Sequence, residues 1–410
     1  MARRGANQPS VAAYNQAVIL DQIRRAGGVS RVELATVTGL SAQTVSNICQ
    51  RLLDAGIIEE GGRTTPATGP GKPRMVLRLI GSSRYALGVH LDPSVLTLVL
   101  LGIDGDVVAS RRRATPSAND PTRTMRLITK EIEQLLSSSG VDRTRIVGVG
   151  VAAPGPIDGE RGVIVDPPNL DGWHRVPLRD AIAASTGLPV VLDKDVTAAA
   201  VAERWVAPSS DARSFAFLYL GTGLGVGLML GEDVARGGSG NAGEIGHIVV
   251  DPNGPMCACG MRGCVAVSCT PAALVAEAEE LGALPATRVG SDPHTIDRAF
   301  SDLVDKADGG HAAAVQILER AAQRVARALA VVCNLLDVDR VILGGPLWAR
   351  LAPWFDQGVP EALAGFLVTR GLHHVTVTST SLGDDVGAIG AACLILDEKL
   401  TPRPTSLLLA

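Results

Sequence analysis

The chain has 410 residues, 46% of them apolar and 20% charged. That is room for two or three folded units with large cores and is unlike the composition of a disordered chain. Aromatic residues make up 3%, which argues against a protein that binds single strands by stacking on bases. The formal net charge of −4 hides an asymmetry: residues 1–80 carry ten Lys/Arg against five Asp/Glu, and the remainder 28 against 37. A basic head on an acidic body fits an anionic partner for the head alone, although the preference for Arg over Lys also follows from coding bias. No run of about 18 uninterrupted apolar residues marks a membrane span. Residues 1–10 are polar and lack the apolar core of a signal peptide, so the expected location is the cytoplasm. There the seven Cys are not expected to form a disulfide framework.

Residues 11–60 predict three short helices. The first covers residues 14–26, with Ala17, Val18, Ile19, Leu20 and Ile23 apolar, and Gly27-Gly28 stops it. Ser30 and Glu33 form a capping-box pattern for the second, which ends at Gly39. Ser41 caps the third, where Val45, Ile48, Leu52 and Leu53 share one helical face, and Gly56 closes it. Residues 57–79 predict a two-stranded wing with a tip rich in Gly, Pro, Thr and basic residues. Beyond residue 84, apolar strand-like runs alternate with helical stretches and Gly-rich turns, the pattern of an α/β body. Residues 85–110 and 214–235 look like related strand clusters, as a duplicated α/β lobe would produce.

In a helix-turn-helix the second helix enters the major groove with its N-terminal residues on base edges. With Val45 and Ile48 inward, Gln43, Thr44, Ser46, Asn47 and Arg51 project outward and can bond bases and phosphates. Arg63, Lys72 and Arg74 of the wing are candidates for phosphate or minor-groove contacts. Any solvated helix shows a polar outer face; spacing, capping, the Gly39 turn and the basic wing together point to double-stranded DNA rather than to a protein-binding bundle. The segment also resembles the winged helices of bacterial repressors in Ser41-Ala42-Gln43-Thr44-Val45-Ser46 and in residues 52–59.

The densest motif is Gly237-Gly238-Ser239-Gly240-Asn241-Ala242-Gly243-Glu244-Ile245-Gly246-His247, followed by Cys257-Ala258-Cys259-Gly260-Met261-Arg262-Gly263-Cys264. His247, Cys257, Cys259 and Cys264 supply four ligands, the number a tetrahedral Zn2+ takes. A buried His and Cys used as small hydrophobes would not need this Cys-x-Cys-Gly-x-x-Gly-Cys arrangement. Cys49, Cys269, Cys333 and Cys393 are expected to be packed thiols.

With these motifs, and with Leu220-Gly221-Thr222-Gly223-Leu224-Gly225-Val226-Gly227, Pro154-Gly155-Pro156, Pro168-Asn169-Leu170-Asp171-Gly172-Trp173 and Asp195-Val196-Thr197-Ala198-Ala199-Ala200, the chain resembles the ROK family (repressors, open reading frames, sugar kinases), and its regulator branch in particular. The resemblance covers residues 11–395. It implies a winged helix-turn-helix over 1–80, followed by a two-lobed actin-like (ribonuclease H-like) sugar-kinase fold. The first lobe would span 81–195, completed by about 385–410, and the second 196–384. It also implies a dimer or tetramer.

Kinases of the family hold phosphate with two turns. The first corresponds to Gly88-Val89-His90-Leu91-Asp92-Pro93-Ser94-Val95, where the kinases usually have Asp in place of His90 and Gly-Gly-Thr-Lys in place of 92–95. Pro93 has no N–H to offer, and Asp92 beside a polyanion costs about 4 kcal/mol per charge pair at about 4 Å and an effective dielectric of about 20. The second turn, Gly221-Thr222-Gly223, is intact, and Gly344-Gly345 resembles the adenosine-side loop.

For the sugar, the resemblance implies Asp195 as the vestigial catalytic base, Glu244 and His247 as hydroxyl ligands, and Asn169 near the same cleft. His247 would bond a hydroxyl through one ring nitrogen and zinc through the other. Lys194 stands where the family commonly has Asn, and Ala266 where it has Glu. Each lost hydroxyl bond removes roughly 0.5–1.5 kcal/mol. Lys194 is expected to pair with Asp195 or Asp193; recruitment of an acidic or phosphorylated sugar is the alternative. The leading expectation is a DNA-binding regulator, a repressor in function, that senses a sugar or sugar phosphate without kinase activity. A regulator that is also an ATP-dependent sugar kinase, and a constitutive DNA-binding protein with a non-functional cleft, remain as alternatives.

Overall fold

The computed structural model describes residues 8–64, 73–116, 120–206, 214–286 and 292–401. The chain begins with α1 (Gln8–Ala26), β1 (Val29–Ser30), α2 (Arg31–Thr38) and α3 (Ala42–Asp54), then β2 (Ile58–Thr64) and β3 (Arg74–Leu79). Local chemistry sets these boundaries. The Ser30 side chain accepts from the Glu33 N–H while Glu33 reaches back to the Ser30 N–H, and Gly39 ends α2 at φ 70. Ser41 accepts from the Thr44 N–H to start α3. Val45, Ile48, Cys49 and Leu52 bury one face of α3 against Ile19, Ile23, Leu34 and Leu77. The wing has three strands rather than two, because Val29 and Ser30 pair with Leu77 and Val76 of β3. Two residues are too few to show a strand period in sequence.

The body starts with β4 (Tyr85–Leu91), β5 (Val95–Gly102), β6 (Val107–Ala114), α4 (Pro121–Ser139), β7 (Ile146–Ala153), β8 (Ile157–Asp158), β9 (Val163–Ile164), α5 (Leu178–Thr186) and β10 (Val190–Lys194). Helix α6 (Asp195–Val206) leads to β11 (Phe215–Leu220), β12 (Leu224–Leu230) and β13 (Asp233–Val234). After these come α7 (Val265–Ser268), α8 (Pro271–Glu280), α9 (Pro293–Asp308), α10 (Ala312–Leu336), β14 (Arg340–Gly344), α11 (Trp348–Phe366), β15 (Thr376–Ser379) and α12 (Val386–Leu400).

The two five-stranded sheets have orders β10-β7-β4-β5-β6 and β13-β12-β11-β14-β15. In each, the first three strands in sequence form an antiparallel meander, and two later strands add in parallel beside the first of them. This repeat is the duplication suggested by residues 85–110 and 214–235. Helices α4 and α5 cover the outer face of the first sheet, and α8 to α11 that of the second. Helices α6 and α12 share the core between the sheets, with Ala198, Ala199, Ala388 and Ala391 facing Val99, Phe217 and Tyr219 in one cluster. Among the described residues no helix is long and apolar enough to cross a membrane.

The crossing of α6 and α12 leaves no space for a side chain at Gly390, where a Cβ would lie 2.1 Å from the Ala198 carbonyl oxygen. Overpacking of this kind costs typically about 1–3 kcal/mol or more. Gly390→Ala is therefore expected to lower the melting temperature by several degrees in a thermal-unfolding measurement, and an unchanged value would contradict this packing.

Candidate functional site

The ends of β4, β10 and β11 converge on a cleft between the two sheets. In the turn after β4, the Asp92 carboxylate accepts from the Ser94 N–H at 2.8 Å and the Ser94 hydroxyl at 2.7 Å. Across the cleft it accepts from the Thr222 N–H at 3.1 Å and the Thr222 hydroxyl at 2.6 Å. Gly221 permits this approach, since a Cβ there would stand 2.9 Å from Asp92 Oδ2. The sequence points to two obstacles to phosphate, the missing N–H of Pro93 and the charge of Asp92. The structure adds that the Asp92 carboxylate already occupies both Thr222 donors of the second turn. Behind it His90 is buried and its Nε2 lies 2.7 Å from the Tyr219 hydroxyl. Burial pulls the His90 pKa below its ordinary value, so the ring that stands for a carboxylate is a neutral imidazole.

On the other side of the cleft, Lys194 at the end of β10 points at Glu244. The expected pairing with Asp195 or Asp193 is corrected here: the Lys194 ammonium binds Glu244 Oε1 and donates to the carbonyls of Asn241 and Ala242 at 3.3 and 3.2 Å. Asp193 instead takes Arg236 at 2.7 Å. The physical reason is direction. Asp193 and Lys194 are adjacent on a strand and point to opposite faces, so each finds its partner in a different part of the 236–244 loop. The Lys194 side chain is 2% exposed while that of Glu244 is 63% exposed. The lysine stem fills space above Gly155, where a Cβ would lie 2.9 Å from Lys194 Cε. Asn241 adds two bonds to the Ile157 backbone, at 2.8 and 2.9 Å.

Asp195 is the first residue of α6, and its carboxylate accepts from the Val196 N–H at 2.7 Å. Its pKa is pushed up to about 7 by desolvation, against the Val196 bond and the Lys194 charge. The residue as a whole is half-buried. Asn169 stands exposed in a left-handed turn at φ 67 between β9 and α5. Ala266 donates its N–H to the Gly246 carbonyl at 2.9 Å, so the small residue sits directly beside the Glu244–His247 segment.

His247, Cys257, Cys259 and Cys264 bring one ligand atom each within 4.8 Å of one another. His247 Nδ1 lies 3.5 Å from Cys257 Sγ, and Cys259 Sγ lies 3.6 Å from Cys264 Sγ. Metal–sulfur bonds of about 2.3 Å and metal–nitrogen bonds of about 2.0–2.1 Å put tetrahedral ligand atoms roughly 3.5–3.8 Å apart. The cluster therefore has the donors and spacing of a site that can hold a metal.

In the head, Gln43, Ser46, Asn47 and Arg51 are exposed on α3 and Thr44 is half-buried. Gln43 donates to Asn47 at 2.9 Å, and the Thr44 hydroxyl pairs with that of Ser41 at 2.9 Å. The backbone of Arg63 pairs with Met75 in the wing, and Arg74 starts β3 with its side chain half-buried. Lys72 lies outside the described residues. Sequence reasoning missed the bonds across the cleft from Asp92, Asp193 and Asn241, which join residues far apart in the chain and carry no local signal.

The ROK family profile matches residues 87–398. The chain belongs to the ROK family. A MarR family profile matches residues 13–65, which hold α2 and α3. A putative xylose repressor from Caldicellulosiruptor sp. (strain Rt8B.4) is 25% identical over 96% of this chain and 98% of its own length. A glucokinase from Thermotoga maritima is 30% identical over 75% of this chain and 96% of its own length. A solved ROK family transcriptional regulator, a homolog of the E. coli MLC protein, superposes with a TM-score of 0.75 at 22% identity, covering 95% of this chain and 98% of that one. Both the winged head and the two-lobed body thus have their counterparts in one known fold.

A carboxyl whose folded pKa lies above its unfolded value of about 3.9 stabilises the fold fully below that value and loses the contribution as pH rises through about 7. Asp195→Asn is expected to gain a few degrees of melting temperature over the unmodified protein at pH 8 and little at pH 5. An equal difference at the two pH values would show that Asp195 titrates normally.

Proposed function

We propose that the protein is a DNA-binding transcriptional regulator, acting as a repressor in the cytoplasm, whose kinase-like body senses a sugar or sugar phosphate without phosphorylating it. The observation that carries this reading is the Asp92 carboxylate seated on the Thr222 N–H and hydroxyl, the donors with which a kinase of the family would hold phosphate. The relatives support it: one that matches 96% of this chain is named a putative xylose repressor, whereas the glucokinase matches 75% of it. In this reading residues 1–80 form the DNA-binding unit, 81–195 with about 385–410 the first lobe, and 196–384 the second.

Gln43, Thr44, Ser46, Asn47 and Arg51 would face the major groove, with Arg63, Lys72 and Arg74 on the backbone or minor groove. Two heads of a homodimer or homotetramer would read two half-sites. The sugar would be held by Asn169, Asp195, Glu244 and His247. Lys194 leaves Glu244 Oε2 to accept from a hydroxyl. His247, Cys257, Cys259 and Cys264 would hold Zn2+ through Nδ1 and three Sγ atoms, and the metal would supply a rigid anchor for the imidazole. His247 Nε2 is then the nitrogen left for sugar.

The test is a thermal-shift screen of the zinc-loaded protein against D-xylose, D-glucose, N-acetyl-D-mannosamine and phosphorylated sugars, with ATP as control. A ligand at 100 times its dissociation constant adds about 2.7 kcal/mol. One sugar is expected to shift the transition and ATP is not. An ATP shift with turnover would favour the kinase reading, to which the raised pKa of Asp195 lends a poised base. No shift with any sugar would leave a constitutive DNA-binding protein. Arg51→Ala is expected to weaken binding to DNA selected from a random pool by about five-fold or more with an unchanged melting temperature, checked by fluorescence anisotropy. Elemental analysis is expected to find one zinc per chain, and Cys259→Ser to lower that occupancy.

A further inference from the structure

Helix α6 runs from the cleft to the head. Its 12 residues span ~18 Å at about 1.5 Å each, with Asp195 at one end and Trp205 near the other. The head covers that far end. Arg24 of α1 lays its guanidinium over the Trp205 indole, 4.1 Å from the ring centroid, and donates through Nη1 to the Trp205 carbonyl at 2.5 Å. The Arg24 side chain is 8% exposed and pairs at 2.7 Å with Asp21, which is 5% exposed. Asp21 also holds Arg25 at 2.8 Å, and Arg25 reaches Glu232 in the turn after β12 at 2.8 Å. Leu20 and Leu79 of the head and Ile103 and Leu400 of the body line a small cavity beside this group.

Between its ends α6 has no slack. A Cβ on Gly227 would lie 2.1 Å from the Val196 carbonyl oxygen, and one on Gly390 the same distance from that of Ala198. The helix is buried from Val196 to Glu203. A displacement at Asp195 is therefore passed along the helix rather than absorbed, because packed interiors shift as units. Helix α12 runs beside it. It starts against His90, whose Cγ would be 2.9 Å from a Cβ on Gly387. At its far end Asp397 pairs with Arg204 of α6, and Leu400 packs on the core of the head. At the contact with the head, Arg24 Nε and Trp205 Nε1 are both buried without a hydrogen-bond partner.

We propose that the stacked Arg24–Trp205 pair is the positioning contact through which the state of the cleft at Asp195 sets the orientation of the DNA-binding head. This rests on the regulator reading above and names its route of transmission. Arg24 and Trp205 lie outside both the outer face of α3 and the cleft, so they act through the elements they join.

The test uses the full-length protein and a cycle of variants. Asp195→Ala perturbs the cleft end, and Arg24→Gln and Trp205→Leu break the contact from either side. Trp205→Phe keeps a ring under the guanidinium. Two readouts are taken: hydrogen exchange of α1, with β4 and β7 as controls for the fold, and affinity for DNA that the unmodified protein selects from a random pool. Asp195→Ala is expected to change both by about threefold or more when the contact is intact, and by less than about 1.5-fold in the Arg24→Gln or Trp205→Leu background. Trp205→Phe is expected to restore the response. The proposal is overturned if Asp195→Ala acts equally in every background, which would make the pair a passive docking contact, or if it leaves α1 exchange unchanged in the otherwise unmodified protein. Should no DNA be selected, the regulator reading fails, and the exchange measurement still decides the coupling by itself.

Discussion

Backbone meets backbone in the middle of the body. Gly390 of α12 lies against the Ala198 carbonyl of α6, Gly88 and Gly150 of the first sheet against the carbonyls of Ala388 and Ala391, and Gly227 of the second sheet against that of Val196. Each contact is too close for a methyl group. Helices usually pack about 8–10 Å apart, with side chains filling the gap. Here small residues let the two helices and both sheets approach as one block. That constraint fixes the starts of α6 and α12, and with them Asp195 and the wall behind His90. The cleft is thus the mouth of a packed seam, and its geometry is tied to elements that extend to the opposite surface.

The cleft satisfies its own charges. Asp92 accepts four bonds from two turns, and hydrogen bonds to a charged group are worth about 1.5–3 kcal/mol each. A polyphosphate on the second turn would have to displace the two from Thr222 while also meeting a like charge. The same logic holds for Lys194. A buried ammonium stripped of its partner costs about 3–5 kcal/mol, so Glu244 and the carbonyls of Asn241 and Ala242 are required wherever Lys194 is. Asp92 and Lys194 therefore each form bonds across the cleft. Asp92 ties the first lobe to the β11–β12 turn, and Lys194, Asp193 and Arg236 tie it to the 236–244 loop.

Much of this fold is legible in the sequence because it is local. Ser30 with Glu33, Gly39 and Ser41 mark helix ends by chemistry within four residues, and the structure honours each of them. The strand clusters announce a repeat that the two sheet orders reproduce. The Cys and His spacing is legible for the same reason, since three of the four ligands lie within eight residues of one another. The partner of Lys194 was not legible. Its near neighbours Asp193 and Asp195 look equally available in a string of letters, and the choice of Glu244 depends on which face of β10 each side chain takes. Trp205 is equally silent in sequence. A Trp at the end of an Ala-rich helix signals core, and only the fold reveals that Arg24 of another unit covers it.

Glu244 is held from two directions, and this limits what an effector can do. Lys194 fixes it from the first lobe, and three residues later His247 enters the metal-type cluster. A ligand arriving between them meets acceptors already set in place, so it loses little affinity to ordering them. Preorganisation alone moves nothing, however. A ligand shifts an equilibrium only by its differential affinity for two states. The bonds that cross this cleft are those of Asp92 with Thr222, Lys194 with Glu244, Asp193 with Arg236 and Asn241 with Ile157. An effector that leaves them intact can reinforce only the state seen here. An effector that changes the DNA-binding head has to exchange some of them for its own contacts, and Asp195, at the start of α6 beside Lys194, is the group where that exchange reaches the rest of the protein.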